Sequence, residues 1–361
     1  MKFIHMADMH FDSPFVNLSQ IDTLGDLKRL EQRKAFKKII EFIKENNIEY
    51  FFISGDLYEN QYIKQSTIEY INNLFKEIPK TKIFISPGNH DPYLKNSYYN
   101  TYKWNNNVKI FNSKIEKIET EDANIYGYGF DDFYCYDSGL KDFQLENNEK
   151  LNILVIHASL DGGWDDERVY NPISSKLLRE KGFDYVALGH IHKLDYNTYE
   201  NQRIVYPSSP IALGFDEIGE HGVIEGNLEK NKIELKFIKI DDEEFIKKEL
   251  NITEIKAKEE LVEKINNIKI ENNQYVEIIL IGNRNFEINI YDLLKYIFNN
   301  RIIKIKDNTK IAYDLENIAN ENTLKGIFTK ELLNQLNNEN ISIEEKEIIE
   351  KAIEIGYDAL E

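Results

Sequence analysis

Short apolar runs, each followed by a turn-forming polar cluster, constrain this chain more tightly than any other feature. Phe3-Ile4-His5-Met6-Ala7, Tyr50-Phe51-Phe52-Ile53 and Ile83-Phe84-Ile85 read as buried strands. Between them lie segments with helical spacing. Leu30 to Lys44 places Phe36, Ile39, Ile40 and Ile43 on one face, and Ser66 to Phe75 predicts a second helix. A βαβαβ order of this kind implies parallel strands with helices packed on the faces of the sheet. Leu151 to Ile156 and Tyr185 to Leu188 add two buried strands, with a helical pattern from Pro172 to Glu180 between them. From Ile204 onward the pattern changes to strands and short turns, as in Gly222 to Leu228 and Lys232 to Ile240. The fold class is α/β.

A length of 361 residues allows two or three domains. Composition shifts at Asp241-Asp242-Glu243-Glu244, which marks a boundary and leaves residues 1–240 as the principal domain. Residues 241–310 carry the pattern of a small α/β unit, and 311–361 that of helices. Ser342 and Glu345 have capping-box spacing. Behind them Ile349, Ala352, Ile353, Tyr357 and Leu360 share one helix face.

Five polar pieces each follow a strand: Asp8-Met9-His10, Gly55-Asp56, Gly88-Asn89-His90-Asp91, His157 and Gly189-His190-Ile191-His192. In an open α/β sheet the carboxyl ends of the strands line one crevice, so the five pieces converge. Five of the seven histidines belong to this set. Taken singly, an Asp-x-His or a Gly-Asp is usually a turn or a cap. Together they offer nitrogen and oxygen donors suited to Mn²⁺, Fe²⁺ or Zn²⁺. The single cysteine, Cys135, rules out an intrachain disulfide and a thiolate zinc site. The donors are too many for one metal and suit two that share a carboxylate. Two metals roughly 3.5–4 Å apart clamp the attacking and leaving oxygens of an in-line displacement at phosphorus.

The ordered set D-x-H, G-D, G-N-H-D, H, G-H-x-H resembles the calcineurin-like metallophosphoesterases. More narrowly, FIHMADMHFDSPF at Phe3 to Phe15, GNHDPY with Trp104 and VKIF, and Tyr206-Pro207-Ser208-Ser209-Pro210 are similar to the SbcD and YhaO-type DNA repair exonucleases. The wider family usually writes YPGSP, and Ser208 stands in place of the glycine. The resemblance covers about residues 1–240 and implies a two-sheet αββα sandwich, followed by a small α/β cap domain and C-terminal helices. It implies that Asp8, His10 and His192 hold one divalent metal, that Asn89, His157 and His190 hold the other, and that Asp56 bridges them. Mn²⁺ is the expected metal. It further implies that His90 protonates the leaving oxygen or stabilises the charged transition state, that Asp91 orients the His90 ring, and that a hydroxide shared by the two metals is the nucleophile. The expected activity is that of a DNA nuclease, exo- or endonucleolytic, working in DNA repair. The expected partner is an SMC-like coiled-coil ATPase of the SbcC or YhaN kind, held by residues 311–361. A homodimer is compatible with the same resemblance. Competing readings are a phosphatase or nucleotide phosphodiesterase on the same fold and a non-catalytic scaffold. The complete ligand set argues against the scaffold.

The net charge is −18, with Lys and Arg totalling 45 and Asp and Glu 63. Such a chain is a poor non-specific binder of nucleic acid or anionic membrane by itself, so a partner or metals must contribute to any grip on DNA. No run of 18 apolar residues is present and Met1-Lys2-Phe3-Ile4-His5 does not begin a signal peptide, so a cytoplasmic location without membrane attachment is expected. His5 reads as a satisfied core histidine, and His221 as a surface residue. Tyr93, Tyr98, Tyr99, Tyr102 and Trp104, interleaved with Lys95 and Lys103, read foremost as core packing and secondly as a base-stacking surface. Lys28, Arg29, Arg33, Lys34, Lys37 and Lys38 read as the solvated face of the first helix.

Overall fold

A computed structural model describes residues 1–15, 18, 24–145, 149–162, 170–196, 203–338 and 341–360. Strand Lys2–Met6 lies inside a six-stranded sheet. On one side it pairs in parallel with Tyr50–Ile53, followed by Lys82–Ile85 and Val108–Ile110. On the other it pairs antiparallel with Gly222–Glu229, which is flanked by Lys232–Lys239. A second sheet of five strands runs Ile204–Val205, Tyr185–Gly189, Leu151–His157, Ala123–Tyr128, Glu116–Glu119. All of its pairs are parallel except the last.

Side chains alternate across each strand, and here both faces are covered. Phe3, Tyr50, Phe52 and Phe84 face the second sheet, where they meet Ile125, Ile153, Val155, Tyr185 and Ala187. Ile4, Met6, Phe51, Ile53, Ile83 and Ile85 face the other way, onto Phe36, Ile39, Ile40 and Ile43 of helix Leu24–Glu45 and Ile68, Ile71 and Phe75 of helix Gln65–Lys76. The outer face of the second sheet, with Tyr126, Leu154, Ile156, Val186 and Leu188, packs on Leu178 of helix Ser175–Lys181. This is the αββα arrangement. Burial on both faces explains why the strands read as unbroken apolar runs instead of alternating ones.

The first helix begins at Leu24, earlier than its periodicity indicates, because Lys28 is not on a solvated face. Its Nζ is fully buried, 2.7 Å from Glu31 Oε2 and over the rings of Phe245 and Tyr275. Arg33 is likewise engaged, with Asp12 and Thr67. The rings after His90 pack into the core: Tyr99 is buried, Tyr98, Tyr102 and Trp104 lie against the same cluster, and Trp104 Nε1 donates to the Tyr98 carbonyl.

Sequence alone suggests three successive regions, whereas the contacts form two compact units. The first is Met1–Lys247 with Ile270–Glu277 and Arg301–Lys304, and the second is Lys248–Lys269, Ile278–Asn300 and Ile305–Glu361. Two later segments join the first unit because Tyr275 and Ile303 pack with Leu18, Leu24, Phe215 and Phe245. In the second unit, Ser342 and Glu345 make the reciprocal cap at the start of helix Ile343–Leu360. Tyr357 and Ile353 are buried there, and Lys325 of helix Leu324–Leu336 lies 4.4 Å from the centre of the Tyr357 ring. Leu324, Ile327, Ile348 and Ile355 are more than half exposed. No described helix is long and apolar enough to cross a membrane.

Candidate metal centre

The parallel register Met6↔Ile53↔Ile85 brings the first three polar pieces to one edge of the six-stranded sheet. The pairing Gly189↔His157 brings the last two to the corresponding edge of the other sheet. The loops then turn sharply. Asp8, His10, Asp56 and His190 all have left-handed backbone, with φ of 56°, 50°, 51° and 103°. Non-glycine residues adopt that conformation at a cost of order 1–3 kcal/mol each, and such strain gathers at functional sites. Gly55 shares the conformation at φ 88°. Gly88 serves another need, since a Cβ there would lie 2.2 Å from Asp56 Oδ1.

Three carboxylate–imidazole groups converge: Asp8 with His10 and His192, His10 with Asp56 and His90, and Asp8 with Asp56 and His157. Asp56 is common to the last two. Its Oδ2 is 3.7 Å from His10 Nε2 and 3.3 Å from His157 Nε2, so one oxygen faces both halves of the site. His157 Nδ1 donates to the Ser54 carbonyl at 2.9 Å, which leaves its Nε2 as a lone pair when the ring is neutral. That lone pair meets Asn89 Oδ1 at 2.9 Å and Asp56 Oδ2 at 3.3 Å. In the metal-free chain a proton on His157 Nε2 satisfies these contacts, and a metal ion in its place would meet the same three ligand atoms. The His10 and His192 Nε2 atoms lie 3.2 Å apart, two more imidazole nitrogens turned to the same place. The donor set therefore fits divalent metal ions. His190 completes the cluster from one side: its ring lies edge-on to His157 with centroids 5.2 Å apart, and its backbone N–H donates to both Asp8 oxygens.

Protons respond to the same geometry in the metal-free chain. Burial lowers His157, but the Asp56 charge outweighs it and the ring rises to about 9. Burial opposes ionisation of Asp56, yet the His157 and His10 rings hold it well below the usual carboxylate range. Burial also pushes Asp8 up, against the pull of His192 and His157. His190, without a carboxylate hydrogen bond to its ring, falls to about 3 through burial and its histidine neighbours.

His90 stands at the rim with its side chain 45% exposed, its backbone N–H bonded to Asp56 Oδ1. The expectation that Asp91 orients its ring does not hold. Asp91 is fully buried, and its carboxylate accepts from the backbone N–H groups of Asp56, Leu57 and Gly88 and from the Tyr99 hydroxyl. It ties the two ligand loops together. The carboxylate beside His90 is Glu59, whose Oε2 accepts from His90 Nδ1 at 2.9 Å, while Oε1 accepts from His10 Nδ1 at 2.7 Å. Burial opposes the charge of Glu59, but the two imidazole hydrogen bonds bring it down to about 2.

Glu217 is the corresponding partner of His192 Nδ1, at 2.5 Å, and is held in turn by the Ser209 hydroxyl and the Leu213 N–H. His221 is buried, not on the surface, and bonds the Ser209 hydroxyl and the Glu217 carbonyl. Sequence reasoning missed these residues. The usable signal was chemical, because a ligating imidazole needs an acceptor for its second nitrogen and Glu59 lies three residues beyond Asp56. No such signal marks Glu217, which lies 25 residues beyond His192 and outside the five polar pieces. Ser208, at the position where a glycine was expected, has φ of 76°, a conformation that glycine adopts without strain.

A sequence model of the family described as calcineurin-like phosphoesterase matches residues 1–194. The chain is 24% identical over 265 residues to the uncharacterized metallophosphoesterase YhaO of Bacillus subtilis (strain 168). That match covers 71% of this chain and 64% of the relative's length, so the chain spans just under two thirds of that protein. Among solved structures, TT1561 of Thermus thermophilus matches with 12% identity and a TM-score of 0.38, over 65% of this chain and 98% of that one.

Proposed function

The chain belongs to the calcineurin-like phosphoesterase family, and from that premise we propose that it is a dimetal-dependent phosphodiesterase whose substrate is DNA. The observation that carries the metal-dependent part is the convergence of Asp8, His10, Asp56, His157 and His192, whose carboxylate and imidazole ligand atoms gather in groups that could hold metal ions. Bound divalent metals would polarise the phosphoryl oxygens and acidify water at neutral pH. Asp8, His10 and His192 would hold one ion and Asn89, His157 and His190 the other, with Asp56 serving both. Manganese is the metal we propose.

The chain's own contribution to the reaction is then the placement of a proton. His90 has its Nδ1 engaged with Glu59 and its ring partly exposed. Its Nε2 is the nitrogen left to donate to a departing oxygen, as general acid. DNA as substrate is supported by segments 3–15, 88–111 and 206–210, which resemble those of repair nucleases. A coiled-coil ATPase of the SMC-like kind, docked on the C-terminal helices, would supply the cationic surface that a net charge of −18 denies this chain. A cytoplasmic setting goes with that reading.

The test incubates the purified protein and Mn²⁺ with linear DNA, bis-p-nitrophenyl phosphate and a phosphopeptide. Both diesters should be cleaved, chelator should abolish both reactions, and the phosphopeptide should be untouched. Turnover of the phosphopeptide alone would replace this reading with a phosphatase. Asp56→Ala should lose both metal equivalents in calorimetric titration, and retention of two would remove its bridging role.

A further inference from the structure

The chain from Asp8 to Phe15 carries four residues with left-handed backbone, Asp8, His10, Asp12 and Phe15, at φ of 56°, 50°, 62° and 50°. Such a path persists only where its surroundings hold it. Part of the hold comes from backbone: the N–H groups of Asp8, His10 and Phe11 donate to the carbonyls of Gly55, Asp56 and Leu57 at 3.1, 2.9 and 3.0 Å. The rest comes from one side chain on helix Leu24–Glu45. Gln32 Nε2 donates to the Met9 carbonyl at 2.9 Å and to the His10 carbonyl at 2.7 Å. The His10 carbonyl also accepts from the Ser13 N–H at 3.1 Å, whereas Gln32 is the one donor to the Met9 carbonyl among the described residues.

Gln32 is fully enclosed, and its amide can stand only one way round, since turned over its oxygen would face two carbonyl oxygens. That oxygen is itself buried and meets no hydrogen-bond donor among the described residues. Half of the amide is left unsatisfied while the other half serves the loop. An apolar side chain of the same length would fill the space without that cost, so packing does not account for a glutamine here.

We propose that Gln32 is a positioning residue of the metal centre: its NH₂ group pins the peptide groups after Met9 and His10, and so aims the Asp8 and His10 side chains at one of the two ions. The proposal rests on the ligand roles given above. Loss of a group that orients a metal ligand typically costs about 10–100-fold in metal affinity or activity. Asn89, His157 and His190 stand on other loops, which Gln32 does not touch. The loss should therefore fall on one metal site and spare the other.

The experiment titrates Zn²⁺, which is diamagnetic, into the metal-free full chain labelled with ¹⁵N-histidine, at free concentrations set by a competing chelator. The ring nitrogens of His10, His192, His157 and His190 report each site separately. Gln32→Met keeps the length of the side chain and donates nothing. Its melting temperature without metal should stay close to the native value, because the unmet oxygen leaves together with the donor. His10 and His192 should need about 10–100-fold more free Zn²⁺, while His157 and His190 respond as in the native chain. Gln32→Asn keeps the NH₂ but is one methylene too short to reach both carbonyls, and it should show the same split, so a methionine variant that folds poorly does not end the test. An unchanged His10 response in either folded variant overturns the proposal. So does an equal loss at all four rings, which is what a general loosening of the fold would give. If Zn²⁺ moves none of these rings in the native chain, the ligand assignment fails and the proposal with it. If the native chain binds both ions yet cleaves neither diester, the phosphodiesterase reading alone fails, and the split between the rings still decides for or against Gln32.

Discussion

His5 shows what a buried polar residue does to stability. It sits between the two sheets, fully enclosed, with Nδ1 against the Tyr185 hydroxyl and Nε2 against the Leu188 carbonyl and the Ser54 hydroxyl. Burial lowers its pKa from 6.5 to about 3, only partly offset by the Leu188 carbonyl. The unfolded chain therefore binds a proton at this residue from about pH 6.5 downward, and the folded chain does not. Stability is full above pH 6.5 and is lost as pH falls toward 3. At pH 5 the loss from this residue alone is about 2 kcal/mol. Urea titrations of the native protein and of His5→Gln between pH 7.5 and 5 should show a steeper decline in the native protein. Equal slopes would mean that His5 does not titrate this way.

The residues of the metal centre were legible because ligand chemistry restricts the choice to a few side-chain types at strand ends. The structure brings Asp8, His10, Asp56, Asn89, His157, His190 and His192 to one crevice. What supports the rings was not legible. Glu217 looks in the sequence like any surface acid, and Glu59 differs from one only by its closeness to Asp56; the direction of an Nδ1–H is what singles them out. Asp91 was placed wrongly for the same reason: adjacency to His90 in sequence does not determine where a carboxylate points.

Among the elements, periodicity was a good guide to what packs and a poor guide to what is solvated. The strands and the apolar faces of the first two helices follow directly from the pattern of Phe and Ile. The opening turn of the first helix does not, since Lys28 reads as surface charge yet is sealed against Phe245 and Tyr275. A contact to residues more than 200 positions away leaves no mark on local pattern. The segment after His90 offers a test at this scale. Trp104 packs on Phe75, Tyr99 and Tyr102. Trp104→Ala should lower stability by about 2–3 kcal/mol, less than for a fully buried ring. It should depress turnover on DNA and on the aryl diester in the same proportion. A defect confined to DNA, with unchanged melting, would make this ring a substrate contact instead.

For the molecule as a whole, the acidic balance and the C-terminal helices belong to one argument. The sequence pattern places Ile353 and Tyr357 on an apolar stripe, and the structure buries both within the second unit. The surface left for a partner is a different one, which includes Ile327 at 68% and Ile355 at 61% exposure. If these residues dock an ATPase, Ile327→Glu with Ile355→Glu should preserve the circular dichroism spectrum, the two metal equivalents and aryl diester turnover. The same double variant should fail to bind the ATPase in a pull-down with the purified partner. Binding equal to that of the native chain would rule out this surface.

The central place of strand Lys2–Met6 has a consequence in time. Its parallel neighbour, Tyr50–Ile53, leaves the ribosome soon after it, but its antiparallel neighbour ends near Leu228, whose carbonyl accepts from the Met1 amino group across 227 positions. At about 5–20 residues per second, synthesis of that stretch takes roughly 10–45 s. Throughout that interval one edge of the first strand is open, and for most of it Asp8 and His10 lack His190 and His192. A newborn chain therefore has three of the seven candidate ligands, His157, His190 and His192, still unmade, and the complete set exists only after most of the first unit has been synthesised.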